Sequence, residues 1–205
     1  MYKAKIYTET DSSKIWSFIE AHPFALITTS DFSGKPVASQ VPLILSENKK
    51  SLQGHIMRQT DHHKAFLENP QVLAVFSGPN AYISGSWYSK PHVASTWNYM
   101  SVQVQGKLCF LNENRFIELM KRFTLKFEAG DQSSPTFYNN IPVGYRKQHM
   151  QAIAGFEIKI ENIEATFKLS QDKDEESFDN IIKQLRQKSH QEQGLADEME
   201  KNNSL

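Results

Sequence analysis

Apolar positions along the chain alternate between a helical and a strand period. Ile15, Phe18 and Ile19 recur at three- and four-residue spacing, which predicts a short helix over residues 11–22. Asp11 or Ser12 caps it. His22-Pro23 ends it, because the residue before a proline avoids helical backbone. Short strands follow at 24–29, 37–45, 51–56 and 72–77, each bounded by Gly, Pro or polar clusters. Gly34 sits where the first turn most needs positive φ. Pro42 marks its strand as an edge, a bulge or a ligand-facing kink. Residues 82–84 extend into a loop, residues 98–110 form a long alternating strand, and 155–160 alternate strictly. Helices are expected at 60–68 and at 113–127, where Phe116, Leu119, Met120 and Phe123 share a face. Residues 131–145, rich in Ser, Asn, Pro and Gly, read as loop.

The tail changes character. Phe178, Ile181, Ile182 and Leu185 mark a helix over 174–188, with Asp172 and Glu175 at capping-box spacing. A weaker, fraying extension reaches Leu195 and Met199. Strands punctuated by turns every roughly 8–12 residues argue for a barrel or sandwich over a doubly wound sheet. The expected class is mainly β with helices (α+β). Residues 1–171 form the barrel domain, and 172–205 form a C-terminal helical tail of the same domain.

Composition narrows the function classes. A hydrophobic fraction of 39% in 205 residues is enough for one core. Lys+Arg and Asp+Glu balance at 23 each, so no global field draws the chain to nucleic acid or acidic membranes. The lone Cys109 excludes an intramolecular disulfide framework and a Cys-rich zinc site. It lies in an alternating strand, which favours a buried inert thiol over a nucleophile. No apolar run is long enough to span a membrane, and Met1–Lys5 lead into polar residues rather than a signal-peptide core. A soluble cytoplasmic protein is expected.

Two segments could carry chemistry. Residues 77–99 interleave Tyr82, Trp87, Tyr88 and Trp97 with Ser84 and other small hydroxyl residues. Such a surface stacks a flat ligand and reads its polar edge; equally, these rings fill a core or cover a barrel end. Residues 54–64 leave a strand and enter a helix. There Arg58, Thr60, His63 and Lys64 can converge on a phosphate beside free helix N–H groups, or form a solvated turn. His62 and His63 are adjacent, so their side chains diverge by about 100° on a helix and do not share a metal ion. Nucleophile-elbow, Walker and dinucleotide motifs are all missing, and acidic residues are sparse near the aromatic segment.

Several blocks resemble the PaiB family of FMN-binding negative transcriptional regulators: "HPFA" at 22–25, "PVASQVPLIL" at 36–45, "GHIMR" at 54–58, "FSGPNAYISGSWY" at 76–88, "TWNY" at 96–99, "GFEIKI" at 155–160 and "KLSQ" at 168–171. The resemblance runs in order from Met1 to about Leu185. It implies an FMN-binding split β-barrel related to pyridoxamine-phosphate-oxidase-like flavoproteins, assembled as a homodimer. It places the FMN phosphate on Arg58, Thr60, His63 and Lys64. It places the ring against Ser39, Gln40, Val41 and Pro42 and near Met57, with aromatic residues arriving from the partner. The family pattern has His at Gln40, a small residue at Met57 and Pro at Gly85. The implied function is negative regulation of degradative-enzyme and sporulation genes, direct or through a DNA or protein partner. The alternative is an FMN-dependent oxidoreductase, with Tyr82, Tyr88 or His92 as proton donors and no other catalytic residue assigned. A small-molecule binding protein without turnover is a third reading.

Overall fold

The computed structural model describes residues 4–203; the first three residues of the Met1–Lys5 segment lie outside them. A short 3-10 turn at Lys5–Tyr7 precedes β1 (Thr8–Glu9) and α1 (Ser12–Ala21). The strands β2 (Phe24–Ser30), β3 (Pro36–Pro42), β4 (Ile44–Leu45) and β5 (Ser51–Met57) lead into α2 (Asp61–Glu68). Then come β6 (Gln71–Ile83), a 3-10 turn at Gly85–Trp87, β7 (Thr96–Phe110), α3 (Glu113–Phe127), α4 (Val143–Ala152), β8 (Ile153–Lys168), α5 (Glu175–Arg186) and α6 (His190–Asn203). The sheet order is β3-β2-β6-β7-β8-β5-β4, with β1 paired to β8. The architecture is the expected mixture: one eight-stranded antiparallel sheet with six helices.

The chain groups into two compact units. One comprises Pro23–Val75 and Val104–Ile163. Its strand β2, expected from an apolar run that turns β-branched, buries Ala25 and Ile27 and turns Phe24 and Leu26 outward. The expected strand over 37–45 is split at Leu43, whose N–H donates to Pro23 O at 2.8 Å. Pro42 ends β3 as a strand-terminating residue, having no N–H for the ladder. Ile44, Phe116, Leu119 and Phe123 form a hydrophobic cluster that seats α3.

The other unit comprises Met1–His22, Phe76–Gln103 and Glu164–Leu205. Asp11 caps α1 by accepting from Ser13 N at 2.8 Å, and the helix buries Ile15, Phe18 and Ile19. Asp174, not Asp172, caps α5, accepting from Ser177 N at 2.9 Å. The expected frayed extension is a formed helix. In α6, Leu195, Ala196 and Met199 are fully buried, and Arg186 of α5 grips Asp197 and Glu200 at 2.6 Å each. No helix among the described residues is long and apolar enough to cross a membrane.

Candidate functional site

The residues expected at the phosphate end gather where β5 runs into α2. Met57 closes β5 opposite Ile153, and Arg58 N donates to Ala152 O at 2.9 Å. Gln59 takes a left-handed conformation (φ 64°), which turns the chain into the helix. Thr60 is the N-cap. Its hydroxyl accepts from His63 N at 3.1 Å and donates to Met57 O at 3.0 Å. The hydroxyl expected to meet a phosphate therefore already shapes the turn.

The cations differ from Thr60 in being uncommitted. Among the described residues, the Arg58 guanidinium and the Lys64 ammonium have no hydrogen-bond or ion-pair partner. His63 rests against the Phe110 ring, centroids 5.0 Å apart. Partial burial holds its pKa below the ordinary imidazole value, and the neighbouring positive charge of Arg58 pushes it the same way. That coupling places two basic groups in one field. The first-turn N–H groups of α2 add a partial positive charge. Uncommitted cations and a helix start form a donor set that fits a phosphate monoester dianion.

His62 points elsewhere. It is 4% exposed, its ring lies 4.2 Å from that of Phe66, and neither ring nitrogen has a partner. Burial pushes its pKa down to about 4, so it is neutral in the fold at pH 7. The two adjacent histidines thus pack on different aromatic rings.

α2 packs against β2 and β3, the latter being the strand that carries Ser39, Gln40, Val41 and Pro42. Strand β3 ends the sheet order, so one of its edges carries no strand partner. Gln40 is exposed opposite Leu26, and Pro42 stands opposite Phe24. Phe24 is 59% exposed and Leu26 39%. Val41 is buried, and Met57 is the exposed apolar end of β5.

Tyr82, Ser84, Trp87, Tyr88 and Trp97 form a second group, in the other unit. Tyr82 and Trp97 are exposed and meet edge-on, centroids 6.2 Å apart, with Trp97 Nε1 donating to Asn80 Oδ1 at 3.2 Å. Ser84 caps the 3-10 turn, and its hydroxyl pairs with that of Ser86 at 2.8 Å. Trp87 and Tyr88 lie beneath lysines of the tail. Lys188 Nζ stands 5.4 Å from the Trp87 ring centroid and Lys173 Nζ 5.1 Å from that of Tyr88. Burial raises the Tyr88 hydroxyl pKa. Tyr82 and Trp97 thus remain open to a ligand, while Trp87 and Tyr88 dock the tail.

One feature escaped sequence reasoning. Arg58 also lines a cleft of about 870 Å³ walled by α3 and α4. The second helix was expected to be loop at its start. The signal was nonetheless present: Pro142 followed by Val143, Arg146, Lys147 and Met150, spaced as one helical face.

The family model described as "Putative FMN-binding domain" matches residues 1–162. The chain is 34% identical over 189 residues to "Protease synthase and sporulation protein PAI 2" of Bacillus subtilis (strain 168), covering 90% of this chain and 89% of that one. Among solved structures, the flavocytochrome Anf3 of Azotobacter vinelandii superposes with a TM-score of 0.61 at 14% identity, covering 87% of this chain and 78% of that one. The FAD and heme binding protein of Mycobacterium smegmatis gives 0.58 at 13% identity, covering 79% and 73%. These likenesses identify the fold as a split barrel. With its basic β5–α2 turn and a family match over most of its length, the chain belongs to the FMN-binding domain family, and FMN is the cofactor that membership assigns.

Proposed function

We propose that the chain is an FMN-binding homodimer that lowers expression of degradative-enzyme and sporulation genes. The observation that carries the cofactor half is the pair of uncommitted cations, Arg58 and Lys64, flanking His63 at the start of α2. A phosphate dianion gives each a partner and meets the helix dipole at its positive end. Thr60 contributes by fixing the turn. Gln40 on the open edge of β3 offers an amide to the polar rim of the ring. The exposed Tyr82–Trp97 pair is the aromatic contribution expected of the second copy. When bound, FMN supplies one- and two-electron chemistry at that ring.

The homodimer is supported by the outward face of β2 and β3. Phe24, Leu26 and Pro42 present apolar surface beside an unpaired strand edge, the combination that favours association over solvation. The regulatory half rests on the near full-length similarity to the Bacillus subtilis protein. The balanced charge gives no general attraction to a phosphate backbone, which favours an effect transmitted through a partner.

The test is to delete the gene in its host and measure secreted-protease and sporulation transcripts. Complementation with wild type restores repression, whereas Lys64→Ala restores it only at raised flavin supply. Transcript levels unchanged on deletion would remove the regulatory reading. Sequence-selective, salt-sensitive gel retardation by the purified protein would replace the indirect route with a direct one.

A further inference from the structure

We propose that the cleft between α3 and α4 binds a small organic anion with an apolar body, at a site separate from the FMN phosphate group. Its volume of about 870 Å³ lies in the range of small-molecule sites. Its floor is apolar: Phe116 is buried, and Met150 packs on the same cluster as Phe116, Leu119 and Phe123. Its rim is basic. Arg58, Lys121, Arg146 and Lys147 line it against a single carboxylate, Glu113.

The state of these groups points to a ligand. Lys121 is already paired with Glu118 at 2.7 Å. Arg58 and Lys147 have no partner among the described residues. Arg146 is held in place: it donates to Tyr138 O at 3.2 Å and lies 4.9 Å from the Tyr138 ring centroid. An arginine oriented by its carbonyl and ring contacts, beside two uncompensated cations, is preorganised for an acceptor. Helix α4 gives an independent sign, because none of its residues is buried. Val143, Arg146, Lys147 and Met150 fall on one face and all line the cleft. Met150 already packs on the core cluster, but Val143 stays 57% exposed, and a ligand with an apolar body would cover it.

His63 and Lys64 do not line the cleft. Arg58 alone is common to both groups, so binding at one site would influence the other through it. The ligand class is a carboxylate, sulfonate or phosphate ester carrying an aromatic or aliphatic body.

The probe is 8-anilinonaphthalene-1-sulfonate, titrated by fluorescence into FMN-saturated full-length protein. We expect one saturable site per chain. Lys147→Met and Arg146→Met should each weaken it at least tenfold, and added salt should weaken it further. Lys147 is exposed, so Lys147→Met leaves folding intact and keeps the test readable. Lys64→Ala should lower FMN affinity and leave the probe within twofold, which separates this site from the cofactor reading. Unchanged probe affinity in Lys147→Met and Arg146→Met would overturn the proposal. So would a probe that binds only the flavin-free protein and is displaced from it by FMN, which would make the cleft part of the flavin site.

Discussion

Phe24→Ser probes the proposed dimer face. Phe24 is 59% exposed on β2, opposite Pro42 and two residues from Leu26 on the same face. An aromatic side chain buries roughly 200 Å² in full, so about 120 Å² remains for a partner to cover. At ~25 cal/mol per Å² that is about 3 kcal/mol per copy, and about 6 kcal/mol for a symmetric dimer. Half coverage brings the expected loss to about 3 kcal/mol, a dimer Kd weakened on the order of 100-fold. The folded chain itself should hardly notice. Ala25 and Ile27, on the opposite face, carry the core contacts of this strand, and an exposed strand position contributes at most about 1 kcal/mol through propensity. Sedimentation velocity over a wide concentration range reads the Kd, with thermal unfolding as the control. A variant that dimerises within threefold of wild type would refute this face as the interface. Wild type that stays monomeric throughout would refute the dimer.

Other expectations follow from individual groups. Lys64→Ala should weaken FMN binding by about 1.5–3 kcal/mol, the worth of a charge-assisted hydrogen bond; an unchanged Kd by calorimetry would move the phosphate elsewhere. His62 is buried neutral with a pKa of about 4, well below its unfolded value. The unfolded chain therefore binds the extra proton between those limits, so stability falls on acidification from about pH 6.5 to 4 and is complete above that window. Denaturant unfolding of His62→Phe across this range should show a shallower slope than wild type, and an identical slope would contradict the assignment. A Cβ at Gly155 would lie 2.2 Å from Phe116 Cδ2, so Gly155→Ala should destabilise by about 1–3 kcal/mol through overpacking. Phe116→Leu in the same chain should recover part of that loss; simple additivity would exclude direct contact as the cause.

The strands were legible because β7 and part of β8 carry period-two alternation and β2 is a bounded apolar, β-branched run, and α1 and α3 because their apolar residues fall on one face. The β5–α2 turn was visible as a cluster of cations after a strand. What its hydroxyl does was not, since Thr60 satisfies equally the pattern of a ligand contact and of an N-cap. Gly78-Pro79-Asn80 reads as a turn but lies inside the continuous strand β6. Gly78 is there for packing: a Cβ would sit 2.6 Å from Phe18 Cε2. Helix α4 was hidden because its face mixes Val143 and Met150 with Arg146 and Lys147, a pattern suited to a charged cleft rather than a core. The tail helix α6 looked weak because its apolar residues are few. The clasp of Arg186 on Asp197 and Glu200 joins residues that no local period connects. Trp87 and Tyr88 likewise gave no sign that tail lysines cover them.

The central claim is that the β5–α2 turn holds the phosphate of FMN. Titration of flavin-free protein with FMN, followed by quenching of flavin fluorescence, tests it directly. The account predicts saturation at one FMN per chain, with riboflavin, which lacks the phosphate, binding at least tenfold more weakly. Absence of saturable quenching, or equal affinity for riboflavin, would contradict it.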